Sequence, residues 1–454
     1  MAFIPLYPPR PPVAPGPLKM LQAARRNLLE IWPESTFHQP YFEHSLFRRR
    51  IFVCNSPETV RQVFVEDAGN VMRKSSQQVH ALKPLIGDGL FISDGELWQQ
   101  RRRAIAPLTH VSRLGEFVPA MAAAAAERAA IWQAKAGAEI DVLAEMAEMT
   151  ADVICRAIFG ARLGHAHAAE VVRGFSAFQA AVGQTDLMSL LGLPESLPRL
   201  NGRRVRASTQ RVHGVVDSLL RGVLIEGDPN EASLVRALAA ALGDGGAVVS
   251  AALRNETSVL LMAGHETTAN TLAWAWYLLS QDEPAWQRLA AEVAALDDAP
   301  GSLEDVQRLP FTRAVIDETL RLYPPVPIQA RRSAEQRRIE DRTVPANSII
   351  MLVPWLLHRH QLYWEQPDTF LPERFLPGGS GVPNRYAYVP FSIGPRICTG
   401  AAFALTETVL CLATLARLFR PVLRPGHVVM PLCRLSLRPG NSLPMRMLPR
   451  AATA

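Results

Sequence analysis

Cysteine is scarce in this chain. There are five, Cys54, Cys155, Cys398, Cys411 and Cys433, widely spaced and without a CxxC pair. That excludes a disulfide framework and a zinc ribbon, and leaves free thiols in a reducing compartment. The chain does not open on a basic segment followed by an apolar one, so no secretory signal is expected. A run of about 18 uninterrupted apolar residues, enough to span a bilayer, is also missing. The stretch 248–264 comes nearest, and Arg254, Asn255 and Glu256 break it. Charge of one sign is scarce too: 48 Lys and Arg stand against 42 Asp and Glu. This weak basic excess suits docking to an acidic partner. Nucleic acid is not expected, because its readers carry a clustered basic stripe and a motif. Internal repeats and flexible interdomain linkers are absent.

What is present is a long chain of ordinary globular composition. Its 454 residues are 48% apolar and 20% charged, enough for a large core with a buried cofactor. The length alone allows several domains or one large fold. Proline is in excess at 36 residues, and seven of these lie between positions 5 and 17. That segment reads as an extended arm packed along the surface. The organisation expected is an arm and first helix over 1–40, followed by one domain over 41–454.

Residues 49–54 read as a strand, and Pro57 opens a helix over 57–65 at its first turn. From about 94 to 280 the pattern is helical, with Ala-rich segments of high propensity. Breaks are expected at Gly160, at Gly192-Leu193-Pro194, at Gly227-Asp228-Pro229 and over 243–246. A long helix is expected over 246–280, another over 311–322, and a last one over 400–418. Tyr323-Pro324-Pro325 ends the second of these. Short β-prone runs fill 326–353 and the C-terminus, while 367–395 is loop-like. The class is mainly α with a minor β region.

Chemistry first shows in Phe391-Ser392-Ile393-Gly394-Pro395-Arg396-Ile397-Cys398-Thr399-Gly400. Glycines on both sides let the chain turn tightly and approach a flat ligand. A helix N-terminus behind the cysteine and Arg396 beside it favour thiolate over thiol. A lone cysteine is usually an inert small hydrophobe, and the other four keep that reading. The long string around Cys398 does not. It resembles the cysteine loop of the cytochrome P450 family of haem-thiolate monooxygenases, of the soluble bacterial type.

That resemblance implies the family fold, with haem b buried between the long central helix and the Cys-loop helix. It makes Cys398 the axial ligand to haem iron, pushing electron density to favour O–O cleavage. Phe391, Gly394, Arg396 and Gly400 belong to the same cofactor-binding loop. Thr399 departs from the family, where a small apolar residue is more usual.

Three further motifs follow the family's order. Ala263-Gly264-His265-Glu266-Thr267-Thr268 lies inside the long helix, where Gly264 costs about 1 kcal/mol against Ala. Such weakness suggests a local distortion with a purpose. An acid beside an alcohol can relay protons, and the resemblance gives that role to Glu266 and Thr267. It places Ala263 and Gly264 at the oxygen pocket. Taken alone, such a Glu is a surface residue and such a Thr bonds back to its own helix. His265 lacks a partner at i+4 and reads as structural.

Glu318 and Arg321 share a helix face. The resemblance joins them with Arg374 in a buried network that supports the site. Trp98 and Arg102, at i and i+4, also share a face. By resemblance they bind one haem propionate and Arg396 another. Arg331 is a further candidate, with its neighbour Arg332 left open. Arg101 and Arg103 read as a basic face. His358, Arg359 and His360 receive no role.

For substrate contact the candidates are Phe91, Ile92, Ala263, Val326, Ile328 and Leu435, with Phe175 and Phe178 in a lid helix. They are apolar, so a hydrophobic small molecule is implied. Ordinary core packing is the competing reading for each.

The function expected is oxygen activation with two external electrons and hydroxylation or epoxidation of that molecule. No flavin or iron–sulfur region occurs in the sequence. A separate ferredoxin or flavodoxin with its reductase is therefore expected, docked on a basic face with Arg101, Arg103 and Arg385. A monomer without a membrane anchor, in the cytoplasm, completes the reading. Competing functions are a peroxide-driven or O2-independent haem enzyme, an isomerase or dehydratase, and a haem-based sensor.

Overall fold

The computed structural model describes residues 3–46, 49–68, 72–135, 137–160, 164–182, 202–227, 233–244, 249–433 and 435–450. The breaks expected at 192–194 and 228–229 lie outside these residues, as do 245 and 246, while Gly243 ends the helix Leu234–Leu242.

A helix of 31 residues, Ala251–Gln281, runs through the core. Ser250 caps its start by accepting a hydrogen bond from the Leu253 amide at 3.1 Å. Its end is set by Asp282, which caps the next helix, Glu283–Ala294, through the Ala285 amide at 3.0 Å. The central helix is wrapped by Val142–Phe159, Gly164–Val182, Gly202–Leu224 and Pro310–Leu322. From Thr268 to Leu279 it is buried on every side. A helix apolar all round belongs in the middle of a large core.

The helix Ala401–Leu418 follows the cysteine loop directly and packs on the central helix. Among the described residues it is the one helix long and apolar enough to cross a membrane, and most of it is buried in the fold.

The β structure is minor. Five strands form one sheet in the order Tyr41–Leu46, Arg49–Cys54, Ile349–Leu352, Gln329–Ser333, Met72–Lys74. The second and third of these run parallel, with Ile51 opposite Ile349; the other pairs are antiparallel. A three-stranded antiparallel sheet joins Glu139–Asp141, Pro444–Pro449 and Phe419–Leu423. A hairpin pairs Pro431–Cys433 with Leu437–Pro439.

The proline-rich arm lies against the body. Phe370 donates its amide to the Phe3 carbonyl at 2.9 Å, and Arg10 stacks over Phe37 at 3.7 Å while pairing with Asp368 at 2.5 Å.

Two boundaries and one interior feature differ from expectation. The helix over 57–65 is α-helical only for Pro57–Arg61 and widens into a π turn over Gln62–Glu66. The central helix starts at Ala251, because Ser250 stays extended to cap it. It then runs unbroken through Gly264, without the expected distortion. Glycine serves close packing there: a Cβ would meet the Ile154 side chain at 2.8 Å, so a larger residue would require that isoleucine on the Val142–Phe159 helix to shift.

Candidate active site

One cavity gathers most of the residues singled out in the sequence. Its lining includes Cys398, Thr399 and Gly400, with Phe391 and Arg396 from the same loop. Ala263, Gly264, Thr267, Thr268 and Thr271 come from the central helix, Trp98 and Arg102 from the helix Gly95–Ile105, and Arg331 from the sheet. Leu90, Phe91, Ile154, Ile158, Leu234, Val259, Leu260 and Val326 make the rest apolar.

The cysteine loop is held by its own backbone. Cys398 donates its amide to the Phe391 carbonyl at 2.9 Å, and Ile397 to Gly394 at 3.0 Å. Gly394 has a φ of +70°, and a Cβ there would sit 2.1 Å from the Phe64 carbonyl oxygen. Gly394 therefore lies behind the loop, outside the cavity lining, and lets the loop press on the sheet side. Arg102 donates to the Ile397 carbonyl at 2.5 Å, and Thr109 to that of Thr399 at 2.9 Å. The Cys398 thiol opens onto the cavity but lies deep in the protein. Burial pushes its pKa up, while the Gly400 amide and the Arg102 guanidinium oppose that shift. A bound cation would complete the stabilisation of a thiolate.

One corner of the cavity is strongly cationic. Arg396 donates to the Ser93 carbonyl at 2.8 Å, pairs with Asp94 at 2.5 Å and stacks on Trp98 at 4.1 Å. Arg331 is buried, and Arg332, one residue on, reaches Asn347 on the exposed side at 2.8 Å. Strand alternation thus decides between the two, with Gln329 and Arg331 facing the cavity. Lys74 completes the corner, its ammonium 4.7 Å from the Phe91 ring centroid. Burial holds the Arg331 and Arg396 pKa values down at about 10, and pulls that of Lys74 well below its ordinary range. The carboxylate acting on all three is Asp94. Such a surplus of buried positive charge calls for an anionic ligand. A flat macrocycle with two carboxylates and a metal above the thiolate fits both the charge and the glycine-lined space. Lys74 was missed in the sequence because it stands alone in a short strand.

The acid–alcohol pair is split across the helix. Thr267 lines the cavity and donates its hydroxyl to the Ala263 carbonyl at 2.7 Å. Glu266 faces away from the cavity. Ser436 donates to its Oε1 at 2.5 Å, and Gln179 donates to its Oε2. Asn270 in turn donates to Ser436 at 3.0 Å. Ser436 was invisible in the sequence, being 170 residues from Glu266.

A second acid, Glu407, is fully buried and lines the cavity. Burial pushes its carboxyl well above the usual range, with Thr268 opposing. It is the one acid in a mostly apolar helix, and that was the available signal.

The supporting network is complete. Glu318 accepts from Arg321 at 2.7 and 2.8 Å, from Arg374 at 3.3 Å and from the Leu371 amide at 2.8 Å, with all three side chains buried. Arg321 also donates to the carbonyls of His358, Pro367 and Thr369 at 2.8, 2.7 and 2.9 Å. His358 accepts from the Val389 amide at 2.9 Å, and burial, reinforced by Arg321, pushes its pKa down to about 3. Arg359 stacks on Trp355 at 3.7 Å beside Asp368, and His360 stacks on Tyr363 at 4.5 Å.

Several expected contacts lie elsewhere. Ile92 closes a tight turn onto the Gly89 carbonyl and points into the core, leaving Leu90 and Phe91 for the cavity. Ile328 falls on the opposite phase from Gln329 and Arg331. Leu435 sits exposed at the tip of the C-terminal hairpin. Phe175 and Phe178 are core residues, and the Phe175 ring packs on His265 at 5.2 Å. His265 bonds back to the Leu261 carbonyl at 2.8 Å. Arg101 is not on a basic face: it is buried against Glu256. Arg103 and Arg385 are exposed.

The comparisons with known proteins agree with this geometry. The family model for cytochrome P450 matches residues 8–443. Cyclooctatin synthase of Streptomyces melanosporofaciens is 32% identical, over 96% of this chain and 95% of its own. The cyclooctat-9-en-7-ol 5-monooxygenase of the same organism is 31% identical, over 91% and 89%. The crystal structure of the cytochrome P450DA heme domain shares the fold, with a TM-score of 0.79 at 23% identity over 99% of this chain and 98% of that one. A thiolate beneath an apolar cavity, a cationic corner beside it and a family match over nearly the whole length leave one conclusion: this chain belongs to the cytochrome P450 family, and is a monooxygenase with haem b as its cofactor.

Proposed function

We propose that this enzyme hydroxylates or epoxidises an apolar cyclic molecule, using O2 and two electrons from a separate ferredoxin or flavodoxin with its reductase. One observation carries the reading. A single cavity is lined by Cys398, by the Thr267 hydroxyl and by a surround of aliphatic side chains. The names of the two Streptomyces relatives support the substrate class, since one acts on cyclooctat-9-en-7-ol.

Haem b, when bound, supplies the centre at which O2 is reduced and one oxygen atom transferred. Cys398 would supply the thiolate that binds its iron. Lys74, Trp98, Arg102, Arg331 and Arg396 would hold its propionates, and Phe391, Gly400, Ala263 and Gly264 would line the space it occupies. Glu318, Arg321 and Arg374 fix the chain that carries the cysteine loop. Leu90, Phe91, Ala263 and Val326 exclude water and orient the substrate.

Protons reach the cavity through the protein. Glu266 takes them up on the outer face of the central helix, where Ser436 and Gln179 hold its carboxylate. Thr267 Oγ1 turns from the Ala263 carbonyl to present a proton on the inner face. Residues 41–454 act as one catalytic domain with the 1–40 arm laid along it, and the enzyme works as a monomer. Arg103 and Arg385 belong to the face that meets the electron donor.

The test is spectroscopic. Reduced, haem-loaded protein under carbon monoxide should give the red-shifted band of a thiolate-ligated haem, and Cys398→Ser should abolish it. Apolar cyclic alkenols such as cyclooctat-9-en-7-ol should then convert the resting spectrum from low to high spin. An intact protein lacking the red-shifted band would overturn the assignment.

A further inference from the structure

Glu256 was read in the sequence only as an interruption of an apolar run. In the structure it is fully buried, on the central helix two turns before Ala263. Its two oxygens accept the Leu90 amide at 3.0 and 3.1 Å. Arg101 approaches the same carboxylate, Nε to Oε1 at 3.3 Å. One residue back on the helix, Asn255 donates to Asp88 at 3.0 Å. The backbone seals the contact. A Cβ on Gly87 would meet Asn255 at 2.1 Å, and one on Gly89 would meet Val259 at 2.7 Å. The whole segment 87–90 is therefore drawn down on the helix. Its outcome is the placement of Leu90 and Phe91, which form part of the cavity wall together with Val259 and Leu260.

We propose that Glu256 is the positioning residue that latches the Leu90–Phe91 segment over the substrate cavity, and that releasing this latch admits and discharges the apolar substrate. The inference rests on the reading of this cavity as the substrate site. Its other side-chain holds lie at the rim, Asn255 on the exposed Asp88 and the Lys74 ammonium against the partly buried Phe91 ring. Glu256 is the fully buried acid that takes a backbone amide of the wall itself, while buried Ser93 donates its hydroxyl to the Leu90 carbonyl at 3.4 Å. Losing a charged acceptor from a buried amide is costly, and here that cost falls on the loop rather than on the helix.

The charge of the carboxylate gives the latch a direction. Burial, opposed by the Leu90 amide and Arg101 and aided by Asp88, pushes the Glu256 carboxyl up to about 7. Lifting the segment wets the carboxylate and returns it towards the ordinary range. Opening therefore releases a proton and becomes easier as pH rises from the ordinary carboxylate range to about 7, levelling off above that.

The test uses the haem-loaded enzyme and two iron-ligating probes. 1-Phenylimidazole fills the apolar space, whereas imidazole reaches the iron without needing the wall. In Glu256→Ala, 1-phenylimidazole should dissociate at least about tenfold faster, imidazole affinity should stay within about twofold, and the 87–92 amides should exchange hydrogen faster. The wild-type off-rate for 1-phenylimidazole should rise with pH up to about 7, then level off, and be flat in Glu256→Gln, which also serves if the alanine variant fails to fold. Unchanged off-rates and amide exchange in both variants, with wild type binding both probes, would overturn the latch. Failure of the wild type to bind either probe would instead overturn the reading of the cavity.

Discussion

Glu318→Gln is the sharpest structural perturbation available. The carboxylate is fully buried and neutralises two guanidinium groups that are also buried, Arg321 and Arg374. Glutamine keeps the shape but turns an N–H2 group towards donors and removes the only negative charge among the three. Breaking a buried, hydrogen-bonded pair costs about 3–5 kcal/mol, because the surviving charge is left uncompensated. With two arginines stranded we expect the upper part of that range. A native protein has only about 5–15 kcal/mol to lose, so the folded-to-unfolded ratio should fall roughly a thousandfold. The control is an ion pair of the same length at the surface. Arg321 Nε lies 2.7 Å from Glu318, and Arg420 Nη2 lies 2.8 Å from Glu283 with both side chains about half exposed. Arg420→Gln should cost less than about 1 kcal/mol. Urea unfolding followed by far-UV circular dichroism and by haem absorbance reads both variants. If Glu318→Gln costs no more than Arg420→Gln, burial is not what makes this network matter, and its assignment as the support of the cysteine loop fails.

Two other expectations follow from the site. Thr267→Ala should leave substrate binding within about twofold but lower product per electron consumed by about tenfold or more, as befits loss of a positioned proton donor; full coupling would favour a peroxide-driven or O2-independent reaction. Lys74→Met should speed transfer of haem to a haem-free acceptor protein by about tenfold, the loss of one charge-assisted contact. Burial, with Arg331 and Arg396, holds the Lys74 ammonium well below its ordinary range, so the haem-free fold binds fewer protons than the unfolded chain. Its stability should therefore fall as pH is lowered from about 10, where an unfolded lysine titrates, and Lys74→Met should flatten that slope.

Local chemistry was legible and register was not. The string around Cys398 carries its meaning within ten residues, so it could be read without a structure. The end of the central helix, expected at 280, falls at Gln281, one residue before the Asp282 cap. Arg331 and Arg332 were indistinguishable because strand alternation has a period but no phase until a neighbouring strand fixes it. Pairing with Ile349–Leu352 sets that phase. Arg101 and Arg102 show the helical version of the problem. They are adjacent in sequence and about 100° apart around the axis, so one reaches the cavity while the other turns to Glu256. Nothing near Arg101 announces a partner 155 residues later.

The same point governs the proposed proton route. Glu266 is set by Ser436, and Ser436 rides on a hairpin pinned from three distant places. Asn27 donates to the Pro431 carbonyl at 2.7 Å and accepts the Cys433 amide at 3.1 Å. Leu437 donates its amide to the Pro325 carbonyl at 3.0 Å, and Trp274 donates to the Leu437 carbonyl at 3.3 Å. The first pin comes from the end of the N-terminal helix and the second from the turn after the helix bearing Glu318 and Arg321. The third lies on the central helix, two turns beyond Glu266 itself. A buried, satisfied polar contact constrains geometry more than its net energy suggests. Three of them converge on one short hairpin. The orientation of the acid is thus fixed jointly by both ends of the chain and by its middle, which is why a motif of six residues could name the acid but not say which way it faces.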